Sequence, residues 1–473
     1  MLRFGTDGVR GRANVVLTPE LALALGRAAA RVLAVPGSSG RRGPFLVGRD
    51  TRRSGPLLQA ALSAGLASEG AEAVDLGVLP TPGVALLSAN HRAPGAVVSA
   101  SHNPFADNGV KLFSAGGLKL GDEVERRLEA ELVRLVVEGG DGAAGGATGA
   151  AAGGAGDGDG GRPAGDAVGT LVSWPDAGTE YQDHLVAALE GRTLAGLRVA
   201  VDCANGAASA LAPGVLRSLG AELAVLHDRP DGRNINQGCG STAPDDLQRL
   251  VAAGGFDAGL ALDGDADRVL AVDQAGSLVD GDQMLAVLAL DLQERGELAG
   301  GAIVATVMSN LGLRLALAER GVKVVEVAVG DRHVLSALEE GDLALGGEQS
   351  GHLVFRRLAT TGDGLLTGLL LLDVVRRWGR PLAELAGVMT RLPQVLRNVA
   401  VARTDTLEAA EGLWAEVAAV EDELGASGRV LLRASGTEPL VRVMVEAPTR
   451  DQAETAASRL EAAVERAVGG PGG

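Results

Sequence analysis

Lysine is almost missing from this 473-residue chain, which has only Lys111, Lys119 and Lys323. Lysine and arginine together number 43 against 60 aspartates and glutamates, giving a formal net charge of −17. Binding a nucleic-acid backbone needs a basic surface that releases counterions, so a general nucleic-acid partner is excluded and any affinity for phosphate must be local. Cysteine is scarcer still. Cys203 and Cys239 are too few for a disulfide framework and lack metal-ligand spacing, which leaves two reduced, buried thiols as the expectation. No run of about 18 uncharged apolar residues occurs, and the opening MLRFGTDGVRG has no apolar stretch of signal-peptide length. A soluble cytoplasmic protein without a membrane partner is expected.

A chain of this length carries roughly three to four domains. One pattern recurs: a short aliphatic strand, a loop rich in Gly, Asp or Asn, then an Ala/Leu-rich amphipathic helix. FLVGRD runs into TRRSG near residue 45, LRVAVDC into ANGAAS at 197–203, and GAIVATV into MSNLG at 301–307. Residues 396–473 read differently, with strand-like LRNVAVA and GRVLLRASGTEPLVRVMVEA alternating with helices. The expected fold is α/β: three similar α/β domains with mixed sheets at 1–180, 181–290 and 291–395, and a smaller α+β domain at 396–473. Residues 139–166 are so rich in Gly and Ala that they have almost nothing to bury, and they read as a disordered insert.

Two loops carry the chemistry. AVVSASHNPFADNGVKLF places Ser99, Ser101 and His102 at the end of a β-branched strand, before Asn, Pro, Asp and Gly. A side chain on such a turn is both reactive and accessible, although Ser and Asn also serve turns structurally. The G-x-S-x-G elbow of an acyl-transfer serine is missing, and adjacent Ser and His need not face one another. In GLALDGDADRVLAV, Asp263, Asp265 and Asp267 alternate after an apolar strand. Hard oxygen ligands at this density suit Mg²⁺, because three like charges otherwise repel. Arg268 stands where an EF-hand needs Gly and Gln274 where it needs Glu, and Asp267 replaces the Thr or Val of the aspartyl-phosphate phosphatases.

Other clusters are weaker alone. GGEQSGH at 346–352 offers Glu348, Ser350 and His352 for recognising sugar hydroxyls or amines. Arg433, Ser435, Gly436, Thr437 and Arg442 supply guanidinium, hydroxyl and backbone donors of the kind that hold phosphate. Arg10, Arg49 and Arg52 lie beside Gly-rich turns and, taken singly, are unremarkable. Lys111 follows Ser101 by ten residues in the same polar loop, where desolvation and neighbouring cations would suit it to proton transfer, unless it is a surface lysine.

In order, FGTDGVRG, SASHNP with NGVKLF, DGDADR, VGDRHV, GGEQSGH and RASGTEPLVRVM resemble the motif series of the α-D-phosphohexomutase family over nearly the whole chain. The resemblance implies a hexose-phosphate mutase whose four domains surround a central cleft. Ser101 is then the phosphoserine, and Asp263, Asp265 and Asp267 hold one Mg²⁺ with an oxygen of Ser101. Arg10, His102 and Lys111 lie near the transferred group, Glu348 and Ser350 read the sugar, and Arg433, Ser435, Gly436, Thr437 and Arg442 bind the distal phosphate. GEQSGH with VGDR points to members acting on an amino-sugar phosphate and feeding UDP-N-acetylglucosamine and cell-wall precursor synthesis; phosphoglucomutase or phosphomannomutase activity is the alternative. A glucosamine or glucose 1,6-bisphosphate is the implied activator, a sugar phosphate the implied partner, and a homodimer is compatible with the pattern. Two features depart from it: His333 stands where Tyr is expected, and the Gly-rich insert lengthens the first domain.

Overall fold

The structure, a computed structural model, describes residues 8–35, 41–141, 162–401, 407, 409–434 and 439–468. The chain divides into two compact units, one formed by Met1–Val307 with Val325–Ala386, the other by Met308–Val324 with Gly387–Gly473.

The first unit carries three sheets. The first has six strands in the order Val9–Arg12, Asp107–Phe113, Gly95–Val98, Arg42–Arg49, Ala71–Val78, Leu171–Ser173. Its last four strands run parallel, and Asp107–Phe113 pairs antiparallel on both sides. The second orders Leu278–Val279, Val269–Asp273, Ala258–Leu262, Arg198–Asp202 and Glu222–Leu226, again mixing parallel and antiparallel pairs. The third orders Lys323–Val327, Ala302–Thr306, Leu345–Gly347 and Leu353–Phe355. Gly95–Val98, Ala258–Leu262 and Ala302–Thr306 are buried throughout, as expected of short apolar strands covered on both faces. Mixed sheets of this kind were expected from the alternating sequence pattern, and the architecture agrees.

Helix ends are set by local chemistry. Pro19 opens the helix Pro19–Leu33, and Thr18 Oγ1 accepts from Leu21 N at 3.3 Å. Asp280 and Gln283 form a reciprocal capping box on Gly281–Glu294. Asp363 caps Gly364–Trp378 through Leu366 N at 2.9 Å, and Gly379 closes that helix with a left-handed φ. Residues Gly364–Val375 of this helix are all buried.

The second unit has an antiparallel three-stranded sheet, Gln394–Ala400, Leu440–Glu446, Arg429–Ala434, packed with Glu411–Leu424 and Arg450–Val468 around Val399, Val441, Val443 and Leu460. Glu446 is fully buried there and accepts from Asn310 Nδ2, Leu311 N and Gln394 Nε2 at 2.9–3.0 Å while pairing with Arg429, so one carboxylate gathers segment 308–324 onto this sheet.

The proposed disorder of 139–166 needs correcting at its margins. Residues 139–141 end the helix Asp122–Asp141, and Gly165–Ala167 forms a 3₁₀ turn leading to the edge strand Leu171–Ser173. Residues 142–161 lie outside the described residues. Among the described residues, no helix is long and apolar enough to cross a membrane.

Candidate active site

The strand Gly95–Val98 delivers Ser99 and Ser101 to a turn, and Asp107–Phe113 returns beside it with Val97 opposite Lys111. Arg52 fixes this turn from beneath. Its guanidinium is buried; Nε donates to Asp50 Oδ2 at 2.8 Å and Nη2 donates to the carbonyls of Ser101 and Asn103 at 2.8 Å each. Nη1 donates to the carbonyls of Pro104 and, at 3.1 Å, Asp107. Ser99 Oγ donates to Asp50 Oδ2 at 2.7 Å and accepts from Ser101 N at 2.9 Å. Asn236 Nδ2 adds donors to the Ser101 and Asn103 carbonyls. In this frame Ser101 takes a φ of 50°, a left-handed conformation for a non-glycine residue.

Ser101 Oγ donates to Asp263 Oδ2 at 2.6 Å and lies 3.2 Å from His102 Nδ1, so the adjacent Ser and His do meet. Burial holds the His102 imidazole below its usual range, assisted by the charges of Arg268 and Arg10. Gly264 allows the two loops to touch, since a Cβ there would stand 2.5 Å from the Ser101 carbonyl oxygen.

Asp263, Asp265 and Asp267 are buried together, each offering an oxygen within 4.8 Å of the others. Ala266, at φ 57°, turns the backbone between the last two. Asp265 Oδ2 accepts from Thr81 Oγ1 at 2.5 Å and from Lys111 Nζ at 2.7 Å, and Asp267 Oδ2 accepts from Lys111 Nζ at 2.9 Å. Burial pushes the Asp263 carboxyl well above the carboxylate range, reinforced by Asp267 and Asp265. For Asp267 burial acts in the same direction, but Lys111, His352 and Arg268 outweigh it and hold the group well below that range. Oδ1 of Asp265 and Oδ1 of Asp267 are buried without a hydrogen bond. Convergent, unsatisfied carboxylate oxygens are the donor set of a hard divalent cation, and the cluster fits one.

Lys111 departs from its expected setting. It lies on a strand instead of in a loop, it is 3% exposed, and the neighbours it meets are carboxylates.

The GGEQSGH segment is tied to the aspartate loop through the backbone, with Val269 N donating to the Gly351 carbonyl at 3.2 Å. Glu348 accepts from Gly330 N at 3.1 Å and from Ser350 Oγ at 3.2 Å, which links this segment to the VGDR turn. His352 Nε2 accepts from Gly362 N at 3.1 Å, so its neutral tautomer carries the proton on Nδ1, 3.9 Å from Asp267 Oδ1. Arg10 sits on the strand Val9–Arg12, opposite Gly109.

In the second unit Arg433 and Arg442 face each other across antiparallel strands and line a cavity of about 30 Å³ with Met308, Leu396, Leu431 and Met444. Arg442 Nε is buried without a hydrogen bond. Like charges directly opposed destabilise a sheet unless an anion lies between them. Ser435, Gly436 and Thr437 lie outside the described residues.

Four domain models match the chain in order: phosphoglucomutase/phosphomannomutase alpha/beta/alpha domain I at 1–135, domain II at 179–276, domain III at 280–392 and the C-terminal domain at 396–463. The chain belongs to the phosphoglucomutase/phosphomannomutase family. Its relatives in this family include the phosphoglucosamine mutases of Saccharopolyspora erythraea, 55% identical over 97% of both chains, and of Thermobifida fusca, 53% identical over 97% of this chain and 96% of that one. A phosphoglucomutase/phosphomannomutase family protein of Burkholderia thailandensis has the same fold, with a TM-score of 0.77 at 26% identity over 98% of this chain and 97% of the other. A putative phosphomannomutase from Thermus thermophilus gives a TM-score of 0.72 at 25% identity over 98% and 99%.

Within this family member, sequence reasoning passed over Arg52, Asp50, Thr81 and Asn236. GRDTRRSG displayed Arg52, but the carbonyls it holds lie about fifty residues away and its role is visible only once the turn is folded.

Proposed function

We propose that the chain interconverts glucosamine 6-phosphate and glucosamine 1-phosphate as a phosphoglucosamine mutase, by a phosphoserine relay through a 1,6-bisphosphate. Identity above half with phosphoglucosamine mutases over nearly the full length supports this reading. The observation that carries the mechanism is the meeting of Ser101 Oγ with Asp263 at 2.6 Å inside a three-aspartate cluster that also holds Lys111. In the forward direction the sugar O1 attacks the phosphorus on Ser101, the P–Oγ bond breaks, and a proton leaves the sugar hydroxyl while one returns to Oγ. The bisphosphate then reorients, Ser101 Oγ attacks the phosphorus on O6 as the P–O6 bond breaks, and the proton lost from Oγ is balanced by one gained at O6. The product supplies UDP-N-acetylglucosamine and cell-wall precursor synthesis.

Each residue has a place in that scheme. Arg52 and Asn236 hold the Ser101 turn by its carbonyls, which fixes the direction of attack. Lys111 and His102 are the proton-transfer groups we assign, and Arg10 faces the transferred phosphoryl group. Glu348 and Ser350 orient the sugar, while Arg433 and Arg442, with Ser435, Gly436 and Thr437, hold the phosphate that is not reacting. Asp263, Asp265 and Asp267 would hold Mg²⁺, which when bound supplies charge neutralisation at the phosphoryl group. Three carboxylates beside a phosphoserine, against one lysine, require such a cation. A glucosamine or glucose 1,6-bisphosphate primes Ser101, and a cytoplasmic location belongs to the same proposal. The four segments 1–180, 181–290, 291–395 and 396–473 are the proposed domains, each holding the greater part of one sheet.

A coupled assay for glucosamine 1-phosphate, with Mg²⁺ and a trace of bisphosphate, tests the reading. Wild type should prefer the amino sugar over glucose and mannose phosphates, and Ser101→Ala should be inactive. Preference for glucose or mannose phosphate would overturn the assignment of the GGEQSGH loop. Full turnover with no phosphate ever present on Ser101 by mass spectrometry would overturn the relay.

A further inference from the structure

A second group of ligand-type side chains lies at the C-terminal ends of two adjacent parallel strands. Asp202 ends Arg198–Asp202, His227 follows Glu222–Leu226, and Cys239 precedes the turn Gly240–Thr242. One ligand atom from each lies within 4.8 Å of the others. Asp202 and Cys239 are completely buried. The cysteine spacing in the sequence gives no hint of this, because only one of the three members is a cysteine, the others being an aspartate and a histidine brought in by the sheet.

Three observations point to a cation. First, His227 Nδ1 is buried and unpaired although Asp202 Oδ2 stands 3.0 Å away, so the contact is not aligned as a hydrogen bond. Second, Asp202 is already oriented by two backbone donors, Ala204 N to Oδ1 at 2.8 Å and Gly240 N to Oδ2 at 2.9 Å, which hold its carboxylate beside the imidazole and the thiol. Third, a second carboxylate flanks the ring: Asp246 Oδ2 lies 3.6 Å from His227 Nε2, beyond hydrogen-bond reach but within the second layer of charge that surrounds a ligating histidine. Two ligands of one tetrahedral ion stand about 3.4–3.6 Å apart, between the 3.0 Å of the Asp202–His227 contact and the 4.8 Å that bounds the group.

We propose that Asp202, His227 and Cys239 bind Zn²⁺ or a like borderline-soft ion, at a site separate from the three-aspartate cluster. The mixed sulfur, nitrogen and oxygen set selects against Mg²⁺, which prefers oxygen alone. The fourth position is left to water. On binding, the Cys239 S–H bond breaks, the proton passes to solvent, and the thiolate joins the ion without any change of oxidation state. The site is structural in consequence. Just past Asp202 the chain abuts the aspartate loop: Ala207 N donates to the Gly264 carbonyl at 2.8 Å, and Gly206 approaches so closely that a Cβ there would lie 2.3 Å from that oxygen. An ion on Asp202 therefore anchors the backbone on which Gly264, between Asp263 and Asp265, rests.

Co²⁺ titrated into the reduced full-length protein, with Mg²⁺ saturating, tests this. Oxygen-only coordination gives no thiolate charge-transfer band, so the two sites are distinguished optically. The expected result is one equivalent of Co²⁺ with a near-ultraviolet thiolate band and tetrahedral visible bands, displaced by Zn²⁺. Cys239→Ser and His227→Gln should abolish the band while Cys203→Ser and Asp265→Asn retain it, and Zn²⁺ should raise the unfolding temperature of wild type but not of Cys239→Ser. Absence of the thiolate band in wild type would mean that the Asp202–His227 pair holds a proton only, and would overturn the proposal. So would a band that survives Cys239→Ser.

Discussion

The turn that carries Ser101 and the loop that carries the three aspartates are both buried and touch at Gly264, yet they are held by opposite means. Around Ser101, one guanidinium donates to one carboxylate and four carbonyls, with Ser99 and Asn236 completing the frame. These bonds are satisfied within the protein and need no ligand. Around Asp263, Asp265 and Asp267, like charges converge, two oxygens are left without hydrogen bonds, and Lys111 supplies the buried counter-charge. That loop is complete only with a further cation. Ser101, the proposed nucleophile, is thus built into the fold, whereas the aspartate loop is completed by what binds.

Breaking the first arrangement should have the largest effect on stability. Arg52→Ala leaves Asp50 buried without its partner and strips the turn of its donors, so about 3–5 kcal/mol should be lost in urea unfolding. A loss under about 1 kcal/mol would show that Asn236 and Ser99 suffice. Arg52→Lys should keep part of the stability and lose more of kcat than of KM, because an ammonium cannot reproduce the planar fork.

Breaking the second should separate activity from stability. Asp265→Asn removes one of three repelling charges, so unfolding stability should change by less than about 1 kcal/mol, while kcat falls by roughly 10²-fold or more. Chelation of Mg²⁺ should copy that loss and leave the fold intact. A large loss of stability from Asp265→Asn would mean that the aspartates form a structural network.

A pH dependence should also belong to the aspartate side. Asp363 caps the helix whose Gly364 N donates to the Ala266 carbonyl, and both its oxygens contact Tyr181 Oη at 2.9 and 3.0 Å. Burial pushes its carboxyl up to about 7 from an ordinary 3.8. Below about pH 4 the group is protonated in both folded and unfolded chains and contributes nothing to the difference. From there to about pH 7 the unfolded chain ionises first, so stability falls as pH rises, by at most about 1.4 kcal/mol per pH unit. Asp363→Asn should flatten that slope, as measured by urea unfolding from pH 4 to 8, and an unchanged slope would show that Asp363 is not its source. The smallest expected effect is in hydrogen exchange. Mg²⁺ should slow the amides of 264–268 by a few-fold and leave those of 101–103 unchanged.

How legible each region was in the sequence follows the same divide. Ser101 and the three aspartates were visible because turn residues and alternating carboxylates after apolar strands are local patterns. The scarcity of lysine drew attention to Lys111, but its strand position and carboxylate neighbours were hidden, since the loop pattern NGVKLF does not reveal that Val110 to Phe113 pairs with Gly95 to Val98. Arg52 was on view and passed over among many arginines, because a side chain that acts on carbonyls leaves no trace in the identity of the residues it holds. The Asp202, His227 and Cys239 group was illegible for a related reason: its members are distributed over two parallel strands and a later turn. The Gly-rich stretch was read as having little to bury; residues 142–161 of it lie outside the described residues, and its margins are drawn into a helix and a turn by their neighbours.

The left-handed backbone at Ser101 bears on how this protein can be engineered. A side chain held at positive φ carries about 1–2 kcal/mol of strain, which glycine relieves. At Ala266, φ 57°, that relief is open, and a library sorted for heat resistance can accept it. At position 101 the same sorting favours a glycine, which lacks the oxygen proposed to carry the phosphoryl group. Directed evolution for stability alone would therefore drift toward a robust, inert chain, and only selection on turnover keeps the strained serine in place.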